Sequence, residues 1–125
     1  MSWDRLVTLN WNVGTLDIAQ GRRFLKHWDA VVSSELFGRR WSSRTDRPLW
    51  AGVIEHVNSN AHHHLVVNTT GVGEKFDSAV LSAAPKFPGA SFHVSLATNP
   101  GGAVSYITKD LWQEPDRFTL SAELR

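Results

Sequence analysis

The sequence predicts an α+β fold: a central antiparallel β-sheet with helices packed on one face. Two observations carry this expectation. Segments with strand and helix patterning alternate in the order β-α-β-β-α-β, the order of a split βαβ unit. The two middle strand segments are separated only by Asn58, Ser59 and Asn60, a turn short enough to make them an antiparallel hairpin.

Each element has its own local signal. Residues 5–11, RLVTLNW, are β-prone and partly alternating, and Asn12, Gly14 and Thr15 break the run. Asp17 is placed to cap a helix, because its carboxylate can accept the orphan amides of a first turn. From 18 to 37, Phe24, Trp28, Val31, Val32 and Leu36 recur at spacings of three and four and form one apolar stripe, which Gly38 ends. Residues 39–48, RRWSSRTDRP, read as a polar, basic loop. Residues 49–57 and 61–68 are the hairpin strands. A loop over 69–73 leads to a helix over 74–84, with Phe76, Val80, Leu81 and Ala84 inward and Pro85 and Pro88 closing it. Residues 91–98, SFHVSLAT, alternate as a fourth strand. After the turn at 99–102, residues 103–113 read as a helix, and 117–122 as a short last strand or a tail.

The chain of 125 residues is expected to form one domain, 1–125, with 42% hydrophobic and 20% charged residues, values of a globular chain rather than a disordered one. It has no cysteine, which excludes disulfides, thiolate metal sites and a cysteine nucleophile. The start, MSWDRLVTLNW, lacks the apolar core of a secretory signal, and no run approaches the roughly 20 apolar residues of a membrane helix. A soluble, cytoplasmic protein with no membrane partner is the expectation. Net charge is only +1, but the stretch from 22 to 47 carries Arg22, Arg23, Lys26, Arg39, Arg40, Arg44 and Arg47 against Asp29, Glu35 and Asp46. Such a basic face could track phosphates, with Trp41 stacking an unpaired base; it is equally the pattern of a solvated surface. Trp28 and Trp50 read as core, His27 as exposed, His93 as structural, and His56 as facing away from Glu55. Thr8, on the first strand, is a candidate DNA contact.

The segment AHHHLVV at 61–67 carries the chemistry. Alternate side chains of a strand share a face, so His62 and His64 point one way and His63 the other, with Leu65 and Val67. Two imidazoles about 7 Å apart along a strand can converge on one divalent ion. Glu55, on the partner strand of the hairpin, can sit beside them. Two histidines and one carboxylate leave coordination positions open, which is the composition of a catalytic site. Histidines alternating on a strand also occur as plain surface or core residues. A histidine-triad nucleotide hydrolase would need a third alternating histidine, and that position is Val66.

Tyr106 is the only tyrosine, and Lys109 follows it at i+3, on the same face of the expected helix. A phenol beside an ammonium has its phenolate favoured and is a reasonable nucleophile. Taken together, LVTLNW, then VIEHVNSNAHHHLVV, then AVSYITKDLW resemble in order and spacing the motifs of the HUH endonucleases, and among them the single-tyrosine rolling-circle replication initiators. The resemblance covers most of the chain. The middle position of the histidine motif is usually hydrophobic in that family and is His63 here, which leaves two registers open: His63 buried, or His63 as the ligand. Position 110 is Asp110, where small single-tyrosine transposases carry a glutamine.

The resemblance implies an RRM-like HUH fold with a metal on one sheet face. It implies Mn²⁺ or Mg²⁺ on Glu55, His62 and His64, a metal affinity that falls below about pH 6 as the imidazoles protonate, and Tyr106 attacking a scissile phosphate with Lys109 assisting. The implied activity is sequence-specific nicking and rejoining of single-stranded DNA at a replication origin, through a 5′-phosphotyrosine link. The implied partners are an origin hairpin or specific nick site, and a host helicase and polymerase. A non-catalytic single-stranded nucleic-acid-binding module on the same scaffold is the main alternative. A metal-dependent phosphodiesterase that uses water in place of Tyr106 is a third.

Overall fold

In the computed structural model, which describes residues 3–55, 57–97 and 115–125, the chain forms a five-stranded antiparallel sheet with its helices on one face. The elements are β1 (Arg5–Asn10), α1 (Ile18–Phe37), β2 (Leu49–Glu55), β3 (His62–Asn68), α2 (Gly73–Ala83), β4 (Ser91–Leu96), β5 (Phe118–Leu120) and a single turn, α3 (Ser121–Leu124). Short 3₁₀ turns cover Gly38–Ser43, Ala84–Lys86 and Pro115–Arg117. The strand order is β4-β1-β3-β2-β5, so the first and third strands lie at the centre and the expected split βαβ arrangement is present. Of the two readings of 117–122, a short strand or a tail, the strand forms over Phe118–Leu120, as β5 on the outer edge of β2.

Local chemistry accounts for the boundaries. Asp17 caps α1 through a capping box: its Oδ1 accepts from the Gln20 amide at 2.7 Å, and Gln20 Oε1 accepts from the Asp17 amide at 3.2 Å. Gly38 ends α1 at φ 73°, a conformation that side chains with a Cβ rarely adopt. The hairpin pairs Glu55 with His62 and Leu49 with Asn68, so β2 stops at Glu55, two residues short of the expected end.

The helix-covered face carries the main core. Val7, Leu9, Trp50, Ile54, Leu65 and Val67 from the sheet, with Trp11 just after β1, meet Leu25, Trp28, Val31 and Val32 from α1 and Phe76, Ala79 and Val80 from α2. Two inward positions differ from the expectation. Phe24 lies at the rim, 36% exposed, because Gly21, Leu25 and Trp28 form the buried line of α1; its ring edges onto Trp11 instead. Leu81 is 64% exposed, because α2 turns Phe76, Ala79, Val80 and Ala83 to the sheet, and its small alanines let the helix lie close. The opposite face carries a smaller apolar cluster of Ala51, Val53 and Val66 with Trp3, Leu6 and Phe118. No helix among the described residues is long and apolar enough to cross a membrane. The expected helix over 103–113 lies outside the described residues.

Candidate metal centre

The face of the sheet away from α1 and α2 displays every second residue of each strand. Strand register sets two rows across it: Glu55 opposite His62 opposite Asn10 opposite Ser91, and Val53 opposite His64 opposite Thr8 opposite His93. Glu55, His62 and His64 therefore meet where the hairpin closes. Their ligand atoms all lie within 4.8 Å of one another, and the cluster could hold a metal ion. Glu55 Oε2 is 3.6 Å from His62 Nε2 and 3.5 Å from His64 Nε2. The two imidazoles stand edge to face, with centroids 4.6 Å apart and planes at 87°. Their side chains are 17% and 21% exposed and that of Glu55 is 16%, so the cluster is reachable from this face.

The hydrogen bonds behind the rings suit a metal. His62 Nδ1 lies 3.1 Å from the Asn60 carbonyl, which can only accept, so Nδ1 donates; a neutral ring held in this way has its Nε2 lone pair free to bind a metal. His64 Nδ1 lies 3.3 Å from Thr8 Oγ1. Ligand histidines are commonly held in this way, the far ring nitrogen tied to an oxygen that fixes tautomer and orientation. The donor set of two nitrogens and one carboxylate fits a divalent ion with coordination positions left for water or a substrate oxygen.

The middle histidine takes no part. His63 faces the core and is 2% exposed, which settles the register in favour of His62 and His64. Its Nδ1 accepts from Trp11 Nε1 at 2.8 Å. Space for the ring comes from Gly21, where a Cβ would stand 3.3 Å from His63 Cε1. Burial pushes its pKa down from 6.5 to about 3, and the nearby His62 and His64 charges push in the same direction. Protonation would also set a new N–H against the Trp11 N–H. The folded-state pKa lies below the unfolded one, so this group's contribution to stability is complete above about pH 6.5 and is lost as pH falls towards 3. The slope is at most about 1.4 kcal/mol per pH unit. Urea unfolding of the wild type and of His63→Leu between pH 7 and 4.5 checks this: the wild type should lose stability faster than the variant as pH falls.

The remaining expected site residues divide into three groups. Thr8 belongs to the cluster, through His64. The basic segment does not. Arg39, Arg40, Trp41, Arg44 and Arg47 precede Leu49, at the opposite end of β2 from Glu55, about 20 Å away at ~3.3 Å per residue. Arg39 and Arg40 are exposed, and Arg44 pairs with Asp46 at 2.6 Å. Arg47, expected in a phosphate-tracking loop, is instead buried: it donates to Asp29 at 2.6 Å and to Ser33 at 3.0 Å, with its guanidinium 4.9 Å over the Trp41 ring. Tyr106, Lys109 and His56 lie outside the described residues. The orienting contacts of Thr8 and Asn60 and the Trp11–His63 bond went unread in the sequence. The one signal for the last is a tryptophan closing a core strand, whose N–H needs an acceptor. His93, read as structural, is exposed on the cluster's own face, beyond Thr8.

Fold and site together define an antiparallel α+β domain with a cluster of two histidines and one carboxylate, able to hold a metal ion, on the sheet face opposite α1 and α2. No protein-family model matches the chain, and no curated protein or solved structure does.

Proposed function

We propose that the chain is a metal-dependent endonuclease and strand transferase of the HUH type, which nicks and rejoins single-stranded DNA to initiate rolling-circle replication. The observation that supports this most is the convergence of Glu55, His62 and His64 on the sheet face away from α1 and α2. The order of the sequence motifs supplies the rest.

On this reading Tyr106 is the nucleophile. Its phenolic oxygen bonds to the scissile phosphorus, the bond from phosphorus to the 3′ oxygen breaks, and the phenol proton ends on the released 3′-OH. The product is a 5′-phosphotyrosine link, and attack by a 3′-OH reverses it. Lys109 favours the phenolate and steadies the phosphate oxygens. Mn²⁺ or Mg²⁺ held by Glu55, His62 and His64 would polarise the phosphate and offset its growing charge. Asn60 O and Thr8 Oγ1 lie at the Nδ1 atoms of the two imidazoles and would help to hold the rings for such an ion. The substrate is an origin hairpin or a specific nick site, and a host helicase and polymerase in the cytoplasm would extend the free 3′ end.

The test is covalent capture. The protein is incubated with a pool of 3′-labelled single-stranded DNA and Mn²⁺, then denatured and run on an SDS gel beside Tyr106→Phe and a chelator control. A labelled protein band that survives denaturation and vanishes in both controls is expected. Cleavage without that band would identify a phosphodiesterase that uses water. Binding without cleavage would identify a non-catalytic single-strand binder.

A further inference from the structure

We infer that Thr8 is a positioning residue for His64, acting through the imidazole and not through DNA. The inference rests on the reading of Glu55, His62 and His64 as a metal centre. An imidazole has two tautomers and two ring flips, and only some combinations turn the Nε2 lone pair towards Glu55. His62 is set by the backbone, because the Asn60 carbonyl 3.1 Å from its Nδ1 belongs to the tight turn, where Asn60 holds φ 52°. At His64 a side chain, that of Thr8, stands in the corresponding place. Thr8 lies directly opposite His64 on β1, and Thr8 Oγ1 stands 3.3 Å from His64 Nδ1. When Nδ1 donates to that hydroxyl, Nε2 is left as the acceptor 3.5 Å from Glu55. Thr8 can hold the ring firmly, because β1 is an inner strand, paired on both sides, and a β-branched side chain has a stiff χ1. The same residue type serves a plain strand equally well, so the effect must be read at the metal.

The experiment measures Mn²⁺ affinity by calorimetry without DNA, for the wild type, Thr8→Val and Thr8→Ser. Valine keeps the shape and strand preference of threonine and removes the hydroxyl; serine keeps the hydroxyl. Thr8→Val should bind Mn²⁺ about 10- to 100-fold more weakly, the usual loss when a group that orients a ligand is removed, and Thr8→Ser should stay near the wild type. Long-range ¹H–¹⁵N spectra of the metal-free proteins should show His64 protonated at Nδ1 in the wild type and mixed in Thr8→Val. A residue that only contacts DNA, or only builds the strand, moves neither readout. Thr8→Val binding Mn²⁺ as the wild type does, or leaving the tautomer unchanged, would overturn the inference. A wild type that binds no Mn²⁺ would overturn the metal centre instead. If Thr8→Val fails to fold by circular dichroism, the wild-type tautomer decides: protonation at Nε2 overturns the inference.

Discussion

Replacing Asp29 with alanine should cost the fold about 3–5 kcal/mol, the range seen when one partner of a buried ion pair is removed. Asp29 sits on α1 with a side chain only 7% exposed, and four donors converge on it. Arg47 Nη2 donates at 2.6 Å and Arg125 Nε at 3.0 Å to Oδ2; Arg125 Nη2 at 2.8 Å and Trp50 Nε1 at 2.9 Å donate to Oδ1. One carboxylate thus offsets two guanidinium groups and satisfies a core indole. Burial pulls the Arg47 guanidinium below its ordinary pKa, and Arg125 adds to that pull while Asp29 opposes it. Without the carboxylate, two cations remain side by side in a largely buried site, and Trp50 N–H loses its acceptor. Urea unfolding followed by circular dichroism should show the midpoint falling by at least about 1 M. Asp46→Ala is the control, since its pair with Arg44 has the same 2.6 Å separation but side chains 46% and 55% exposed. Its midpoint should barely move, because water screens an exposed pair. A fall as large for Asp46→Ala as for Asp29→Ala would refute the assignment of stability to burial.

The second large effect concerns metal. His64→Ala should weaken Mn²⁺ binding by at least about 100-fold, more than removal of a group that merely orients a ligand. Thermal unfolding reads the same loss. At a concentration about 100 times its dissociation constant, Mn²⁺ should stabilise the wild type by about 2.7 kcal/mol; in the variant at the same concentration the gain should drop to about 0.4 kcal/mol or less. Metal-free stability should change far less than the metal-dependent gain, since the side chain is only partly buried. Equal Mn²⁺-induced shifts in both proteins would remove His64 from the ligand set.

The site was legible where its geometry is local. Glu55 and His62 face each other because a short turn joins their strands, and His62 and His64 share a face because strands alternate. The same locality made α1 readable from Asp17 to Gly38. The role of His63 was not legible. Alternation placed it on the other face, but only Trp11, 52 positions away, shows that it is a core residue with a satisfied nitrogen. Arg47 looked like a phosphate contact because its neighbours are basic; Asp29, 18 positions earlier, makes it structural. On α2, apolar Leu81 and small Ala79 compete for the inward face, and the sheet that α2 lies against chose the alanine.

The sequence by itself determined the order of the elements, the hairpin, and which side chains of β2 and β3 share a face. Turn length, caps and periodicity act over a few residues and need no knowledge of the rest of the chain. Only the tertiary structure decided that β1 lies beside β3, bringing Thr8 to His64, and that Asp29 gathers Arg47 and Arg125. Those contacts join positions 18 to 96 residues apart, and no local pattern encodes which distant donor will meet which acceptor.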